Sequence, residues 1–468
     1  MSLGKKNELD LDMKLEKFTI IETSTLREAL ESIDANKYGL IFVTSSQGSV
    51  FGVLTDGDIR RYLIEGGNLN DQITKCANVD FIWEHSNTPR EILLKKLNSE
   101  IRFIPLLDDS RHLVGLVSRD HLPINDENAV YARARAPVRL SFSGGGSDIT
   151  QYFSDNGGAV INATISLYSH ATLRIRNDQK VILHSLDIGE IEEANDLKSA
   201  IETKSKFGLI KSLLRIINPD FGFELFIHSD YPMKSGLGGS AAILAAILGC
   251  FNQFRFDQWD LYELSEIAFQ AERFYLGILG GWQDQYATVF GGFNFMEFRM
   301  EQNLVHPLRV ANDTLNELEE SLLLCDTNII HESHQIHEDQ SQEMKSDTVK
   351  HLVRRNVQLS YDMRNHLLRG KLLDFGKALD EAWQLKRKFS SKISSPKLDQ
   401  IYSDAKTNGA IGGKLLGAGG GGFFLFYVPP DRKINLMKHI EASDLRIQPF
   451  RFDANGLQAW KMRENNSI

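Results

Sequence analysis

The stretch Lys234-Ser-Gly-Leu-Gly-Gly-Ser-Ala-Ala242 limits what this chain can fold into more than any other segment. Its glycines open Ser240-Ala-Ala-Ile-Leu-Ala-Ala-Ile-Leu248, an apolar run that reads as a buried helix. Glycine adopts backbone conformations closed to other residues and lets N–H groups approach a ligand. A helix start adds unpaired N–H donors and the positive end of a dipole. Together these form a phosphate cradle. Its candidate contacts are Ser235, Gly236, Leu237, Gly238, Gly239, Ser240 and Ala241. No Gly-Lys-Ser/Thr triplet follows, so the segment is not a Walker loop. A tight turn into a core helix is the other reading that the segment alone leaves open.

A chain of 468 residues has room for about three domains. The net charge of −9 argues against a general binder of nucleic acid or acidic membrane, though a local basic pocket is compatible with it. Cys76, Cys250 and Cys325 are far apart and odd in number, which suits a reducing compartment. The amino terminus lacks a secretory apolar core, and no apolar run reaches the roughly 18 residues of a membrane span. A cytoplasmic protein without a membrane partner is expected.

The first 128 residues contain one module twice. Helix-forming Thr23-Ser-Thr-Leu-Arg-Glu-Ala-Leu30 precedes strand-like Gly39–Thr44 and Phe51–Thr55, and a further helix is expected from Asp58. Thr88-Pro-Arg-Glu-Ile-Leu-Leu94, Phe103–Leu107 and Leu113–Val117 repeat that order. The halves, about 18–66 and 80–124, resemble a CBS pair, an α/β tandem. The mark is Gly52-Val-Leu-Thr55 with Asp58, a hydroxyl and a carboxylate three apart at a helix start. In the second copy Gly115-Leu-Val-Ser118 is kept, but His121 stands where the acid belongs. The resemblance implies a cleft for an adenine nucleotide such as AMP, with Thr55 and Asp58 as its ribose contacts. A pair that only dimerises or scaffolds is the other reading, and a homodimer is expected.

The rest of the chain mixes strands and helices without regular alternation, which favours an α+β architecture. In Arg135-Ala-Pro-Val-Arg-Leu-Ser-Phe-Ser-Gly-Gly-Gly-Ser-Asp148 a strand ends in glycines and an acid. Asp148 suits sugar hydroxyls and Arg139 suits a phosphate; a glycine turn with a helix-capping Asp fits as well. In Gly412-Gly-Lys-Leu-Leu-Gly-Ala-Gly-Gly-Gly-Gly422 the glycines are costly unless backbone must come close to something. Glu272, on a helix, and Asp284, in Gly280-Gly-Trp-Gln-Asp-Gln-Tyr286, suit a Mg²⁺ ligand and a group that orients an attacking hydroxyl. Such acids also occur as plain surface charge.

In this order the motifs resemble the GHMP kinase superfamily, from about residue 131 to 465. One departure is Gly239, where many members carry the first of two serines. Ser143-Gly-Gly-Gly-Ser-Asp148, Asn162-Ala-Thr-Ile165, Gln283-Asp-Gln-Tyr286 and Trp383-Gln-Leu-Lys-Arg387 bring the chain nearest to the D-glycero-D-manno-heptose 7-phosphate kinases. The resemblance implies a two-lobed α+β fold after the tandem pair. An ATP-binding lobe would occupy 129–313, and a ferredoxin-like lobe 314–468. It further implies ATP and Mg²⁺, and phosphoryl transfer to the anomeric hydroxyl of a small sugar phosphate. Ser240 and Glu272 would hold Mg²⁺, Asp284 would orient or deprotonate the hydroxyl, and Arg139 would stabilise developing charge. Asp148, Gly145, Gly146, Ser147, Lys414, Gly419 and Gly420 would contact the sugar. Lys414 and Lys386-Arg387-Lys388 are candidates for a phosphate already on it, though such a run also makes a solvated helix face. A free-sugar kinase and a non-catalytic nucleotide sensor are the alternatives. His331, His334 and His337 recur at every third position, but a polar helix explains them better than a metal site.

Overall fold

The computed structural model describes residues 15–88, 90–97, 101–118, 130–329, 336, 339–340, 342–343 and 346–463. The chain divides into two compact units, Gly4–Asn128 and Ala129–Ile468. No described helix is long and apolar enough to cross a membrane.

The first unit holds two three-stranded sheets. β1 (Thr19–Ile21), β2 (Leu40–Thr44) and β3 (Val50–Thr55) lie in that order, with β1 parallel and β3 antiparallel to β2. β4 (Glu84–His85), β5 (Phe103–Leu107) and β6 (Leu113–Ser118) repeat that order and those directions. The repeat extends to an irregularity: the register slips at Val43/Thr44 in one hairpin and at Leu106/Leu107 in the other. Thr55 and Asp58 close a capping box on the helix Asp56–Ile64. The Thr55 hydroxyl donates to Asp58 Oδ2 at 2.6 Å and accepts from Asp58 N at 3.2 Å, and Arg61 also binds the acid. The two groups expected to face a ribose therefore engage each other. His121 lies outside the described residues.

The second unit is built on a long strand. β7 (Val130–Ser143) runs antiparallel to β8 (Gly158–Ile175) along one edge. The other edge of β8 is too long for one partner. Its carboxyl half pairs β11 (Phe223–Ser229) and its amino half pairs β12 (Phe293–Phe298). β9 (Val181–Ser185) and β10 (Glu190–Ala194) extend the sheet beyond β11, and β13 (Asn303–Pro307) extends it beyond β12. A second sheet has the order β15 (Gly412–Leu415), β16 (Phe423–Tyr427), β14 (Leu322–Asp326), β17 (Arg446–Ile447). The last strand, β18 (Gln458–Arg463), returns to pair β7. A boundary at 313/314 therefore leaves one strand of the first sheet in the later segment.

The expected apolar helix spans Gly239–Asn252, and its residues from Ala241 on are buried apart from Ile243. Burial all round leaves no polar stripe, so both faces need apolar cover. Each buried Leu or Ile there contributes about 1.5–3 kcal/mol. Where the helix meets β7 and β18 it carries Gly249. A Cβ at that position would lie 2.9 Å from Leu457 and 3.2 Å from Ala134. This close packing seats the last turns of the helix on the sheet. Its start is tied to β7 separately, by Arg139 N donating to Leu237 O at 3.0 Å, and the site is built there.

Candidate active site

A cavity of about 530 Å³ takes its lining from both sheets of the second unit. Arg139 and Ser141 enter from β7, the cradle from the loop before the apolar helix, and Lys414 from β15. The helix is capped by Gly238, φ +82°, with no side-chain hydrogen bond to its first turn. Gly236 is also left-handed, at φ +77°. A Cβ on Gly236 would lie 2.8 Å from the Leu416 carbonyl oxygen, and one on Gly417 would lie 2.6 Å from the Gly236 Cα. The two glycine segments thus meet backbone to backbone, and Phe423 N donates to Ser235 O at 3.2 Å. The departure at Gly239 has a steric cause: a Cβ there would meet the Tyr231 ring at 2.7 Å. The Tyr231 hydroxyl fills that place, lying 2.5 Å from Ser169 Oγ and 3.2 Å from Gly239 O.

The acids arrive from two helices. The helix Leu261–Gln270 runs on into a π-helical turn, Ala271–Tyr275, a local irregularity often found at functional sites. Glu272 lies in that turn, buried. Its Oε1 accepts from Ser240 Oγ at 2.6 Å and its Oε2 from Gln285 Nε2 at 2.7 Å. Asp284 is in the first turn of Gln283–Phe290. Arg139 grips it in a fork, Nε to Oδ1 at 2.8 Å and Nη2 to Oδ2 at 2.7 Å, while Nη1 donates to Gly236 O at 2.7 Å. One guanidinium thus ties the acid to the cradle.

Asp148 is almost fully buried and accepts from Gly146 N at 2.9 Å and Gln283 N at 3.1 Å. Burial, and then the charge of Asp284, push its carboxyl above the usual range. The loop before Asp284 can cross it only because residue 281 is glycine, where a Cβ would lie 1.9 Å from Asp148 Oδ2.

Two lysines complete the cavity. Lys414 Nζ donates to Ser141 O at 2.6 Å, and Lys386 Nζ to the carbonyls of Leu415 and Gly417. Both are buried, and among the described residues neither has a carboxylate partner. Burial, and then Arg139, push the Lys386 ammonium down to about 7. Lys414 falls well below its ordinary value through burial, Lys386 and Arg139. The basic run splits: Arg387 pairs with Asp399 at 2.7 Å, and Lys388 faces solvent.

Ser235, Gly236, Gly238, Gly239 and Ser240 line the cavity with Arg139, Glu272 and Asp284. Gly145, Gly146, Asp148 and Lys414 line it as well. Five expected contacts do not. The Leu237 and Ala241 side chains pack in the core, which leaves the expected cradle contact at those positions to backbone alone. Ser147 Oγ is committed to the Ala159 backbone at 3.1 and 3.2 Å, which closes the turn between β7 and β8. Gly419 and Gly420 pack on Ile393, where Gly420 N donates at 2.8 Å. Gly417 and Ala418 hold the cavity positions instead. His331, His334 and His337 lie outside the described residues. Sequence reasoning missed Gln285, although it stands in the quoted Gln283–Tyr286 motif. It also missed Ser229, Asp187 and Tyr231 on the cavity wall, which no local motif marks.

Ser240 and Glu272 offer a hydroxyl and a carboxylate side by side, hard oxygen donors that fit Mg²⁺. The cradle's uncapped helix start and the lysines suit phosphate.

Comparison with known proteins identifies the family. The model described as "GHMP kinases N terminal domain" matches residues 200–292, "GHMP kinases C terminal" matches 363–440, and "CBS domain" matches 10–65. The D-glycero-alpha-D-manno-heptose 7-phosphate kinase of Campylobacter jejuni is 37% identical over 336 residues, 70% of this chain and 99% of the relative. The L-fucokinase/L-fucose-1-P guanylyltransferase of Bacteroides fragilis is 27% identical, over 64% of this chain and 34% of the relative. A crystal structure of a D-glycero-D-manno-heptose 1-phosphate kinase from Bacteroides thetaiotaomicron is similar with a TM-score of 0.59 at 30% identity, covering 71% of this chain and 99% of that one.

Proposed function

The chain belongs to the GHMP kinases, with a CBS region at its amino terminus, and from that premise we propose that it phosphorylates the anomeric hydroxyl of D-glycero-D-manno-heptose 7-phosphate from ATP. That it is a sugar kinase, a phosphotransferase acting on a hydroxyl, follows from the family. The acceptor and the residue roles are our reading. The observation that carries it is the fork of Arg139 on Asp284 beside the cradle, which aims one carboxylate into the cavity. In this reading Asp284 accepts the proton of the attacking hydroxyl, which lies between Asp284 and Asp148. The free amides at the start of the apolar helix hold the ATP phosphates. Arg139 offsets charge that builds on the transferred group. Ser240 and Glu272 would hold Mg²⁺, which when bound neutralises phosphate charge.

A phosphate on the acceptor is favoured over a free sugar by Lys386 and Lys414. A buried ammonium without a direct carboxylate partner is costly, so two in one cavity favour an anionic ligand. At the CBS region, adenine nucleotide such as AMP remains our proposed ligand, supported by the family match alone. The enzyme as a homodimer is likewise part of the proposal.

Coupled ATP turnover tests the acceptor directly. D-glycero-D-manno-heptose 7-phosphate, unphosphorylated heptose, L-fucose and galactose would each be offered, with and without AMP. Turnover confined to the phosphorylated heptose is expected. Equal turnover on a free sugar would discard the acceptor and keep the chemistry.

A further inference from the structure

β11 has two faces with different duties. Ser229, and Tyr231 just beyond the strand, line the catalytic cavity; His228 and Asp230 point the other way. On that outer face His228 stands directly opposite His170 in the antiparallel register of β11 and β8. The two imidazoles stack with ring centres 4.5 Å apart and 6° between planes. Asp230, two residues along and therefore on the same face, brings Oδ2 to 3.2 Å from His170 Nε2. One ligand atom from each of the three residues lies within 4.8 Å of the others.

We propose that His170, His228 and Asp230 form a binding site for a zinc-like divalent transition cation, separate from the catalytic cavity. Two imidazole nitrogens and one carboxylate oxygen are a donor set for a borderline cation; Mg²⁺ prefers oxygen alone. Donors around tetrahedral zinc sit about 3.3 Å apart, from bonds of about 2.0–2.1 Å. With both histidine backbones fixed by strand pairing, closing the remaining gap falls to side-chain rotation. The carboxylate is also oriented in advance: Asp230 Oδ2 accepts from Tyr168 N at 3.0 Å, the outer support that metal ligands commonly have. His228 and Asp230 are exposed, which leaves a further position open to water. A bound ion would pin β8 to β11 on the face opposite the Ser229 wall.

Zinc titration calorimetry on the untagged full chain, stripped with a chelator, tests this. The wild type is compared with His228→Ala and Asp230→Asn, each checked by circular dichroism. The expected result is one equivalent of zinc in the wild type that weakens tenfold or more in both variants. Isotherms identical in stoichiometry and affinity across the three proteins would overturn the site. Should His228→Ala not fold, Asp230→Asn decides alone, since it keeps the shape of the side chain. The readout needs neither sugar nor ATP, so it stands or falls apart from the proposed kinase substrate.

Discussion

Arg139 reaches Asp284 across 145 residues of chain and meets both carboxylate oxygens at once, at 2.8 and 2.7 Å. A fork of this kind fixes the plane of the acid as well as its distance. The third arm of the guanidinium holds the Gly236 carbonyl, so the acid and the cradle cannot drift apart independently.

Asp284→Asn should therefore lose roughly 10²–10⁴-fold in turnover while ATP binding stays nearly unchanged. Steady-state kinetics paired with nucleotide calorimetry measure both. Full activity would remove Asp284 from the chemistry.

Ser240→Ala removes the hydroxyl that bonds Glu272 at 2.6 Å. The Mg²⁺ concentration for half-maximal turnover should rise roughly tenfold or more. An unchanged Mg²⁺ dependence counts against the pair as the metal site.

Gly236→Ala places a Cβ 2.8 Å from the Leu416 carbonyl on a left-handed backbone. The conformation costs about 1–2 kcal/mol and the contact about 1–3 more. Both a lower melting temperature and weaker ATP binding are expected. A variant with wild-type stability would mean that the two glycine segments are not in backbone contact.

Lys386 gives a pH signature. Its folded value, about 7, lies below the ordinary 10.5, so between those values the unfolded chain binds the extra proton. Stability therefore rises with pH across that window, and the penalty is largest below about pH 7. Lys386→Met should gain most over wild type at pH 6. The gain should shrink by roughly 3 kcal/mol by pH 9.5. Denaturant melts of both proteins at the two pH values check this, and a gap independent of pH would show that burial does not disfavour the charge.

The cradle was legible because glycine spacing before an apolar helix is a local signal. Glu272 and Asp284 were legible through their motifs. Lys386 was legible only as one of a run of three cations: packing keeps it in the cavity and sends its neighbours elsewhere, Arg387 to Asp399 and Lys388 to solvent. The late loop was misread by two residues, since a row of glycines does not say which one turns toward the cavity. Backbone contact with Gly236 picks Gly417, while Ile393 takes Gly419. Ser147 went to the β7–β8 connection, because a buried hydroxyl beside the edge of β8 that β7 does not reach is drawn to backbone.

By itself the sequence determined the repeated amino-terminal module, the buried helix behind its glycine turn, and the kinds of chemical group available. These follow from neighbours along the chain, where spacing, capping and apolar period act locally. Only the tertiary structure decided which of those groups share a cavity. Arg139 with Asp284, Gly236 with Gly417, and Lys386 with Lys414 are joined by packing between distant segments. Contacts of that kind depend on where the sheets and helices come to rest, and no local pattern encodes them.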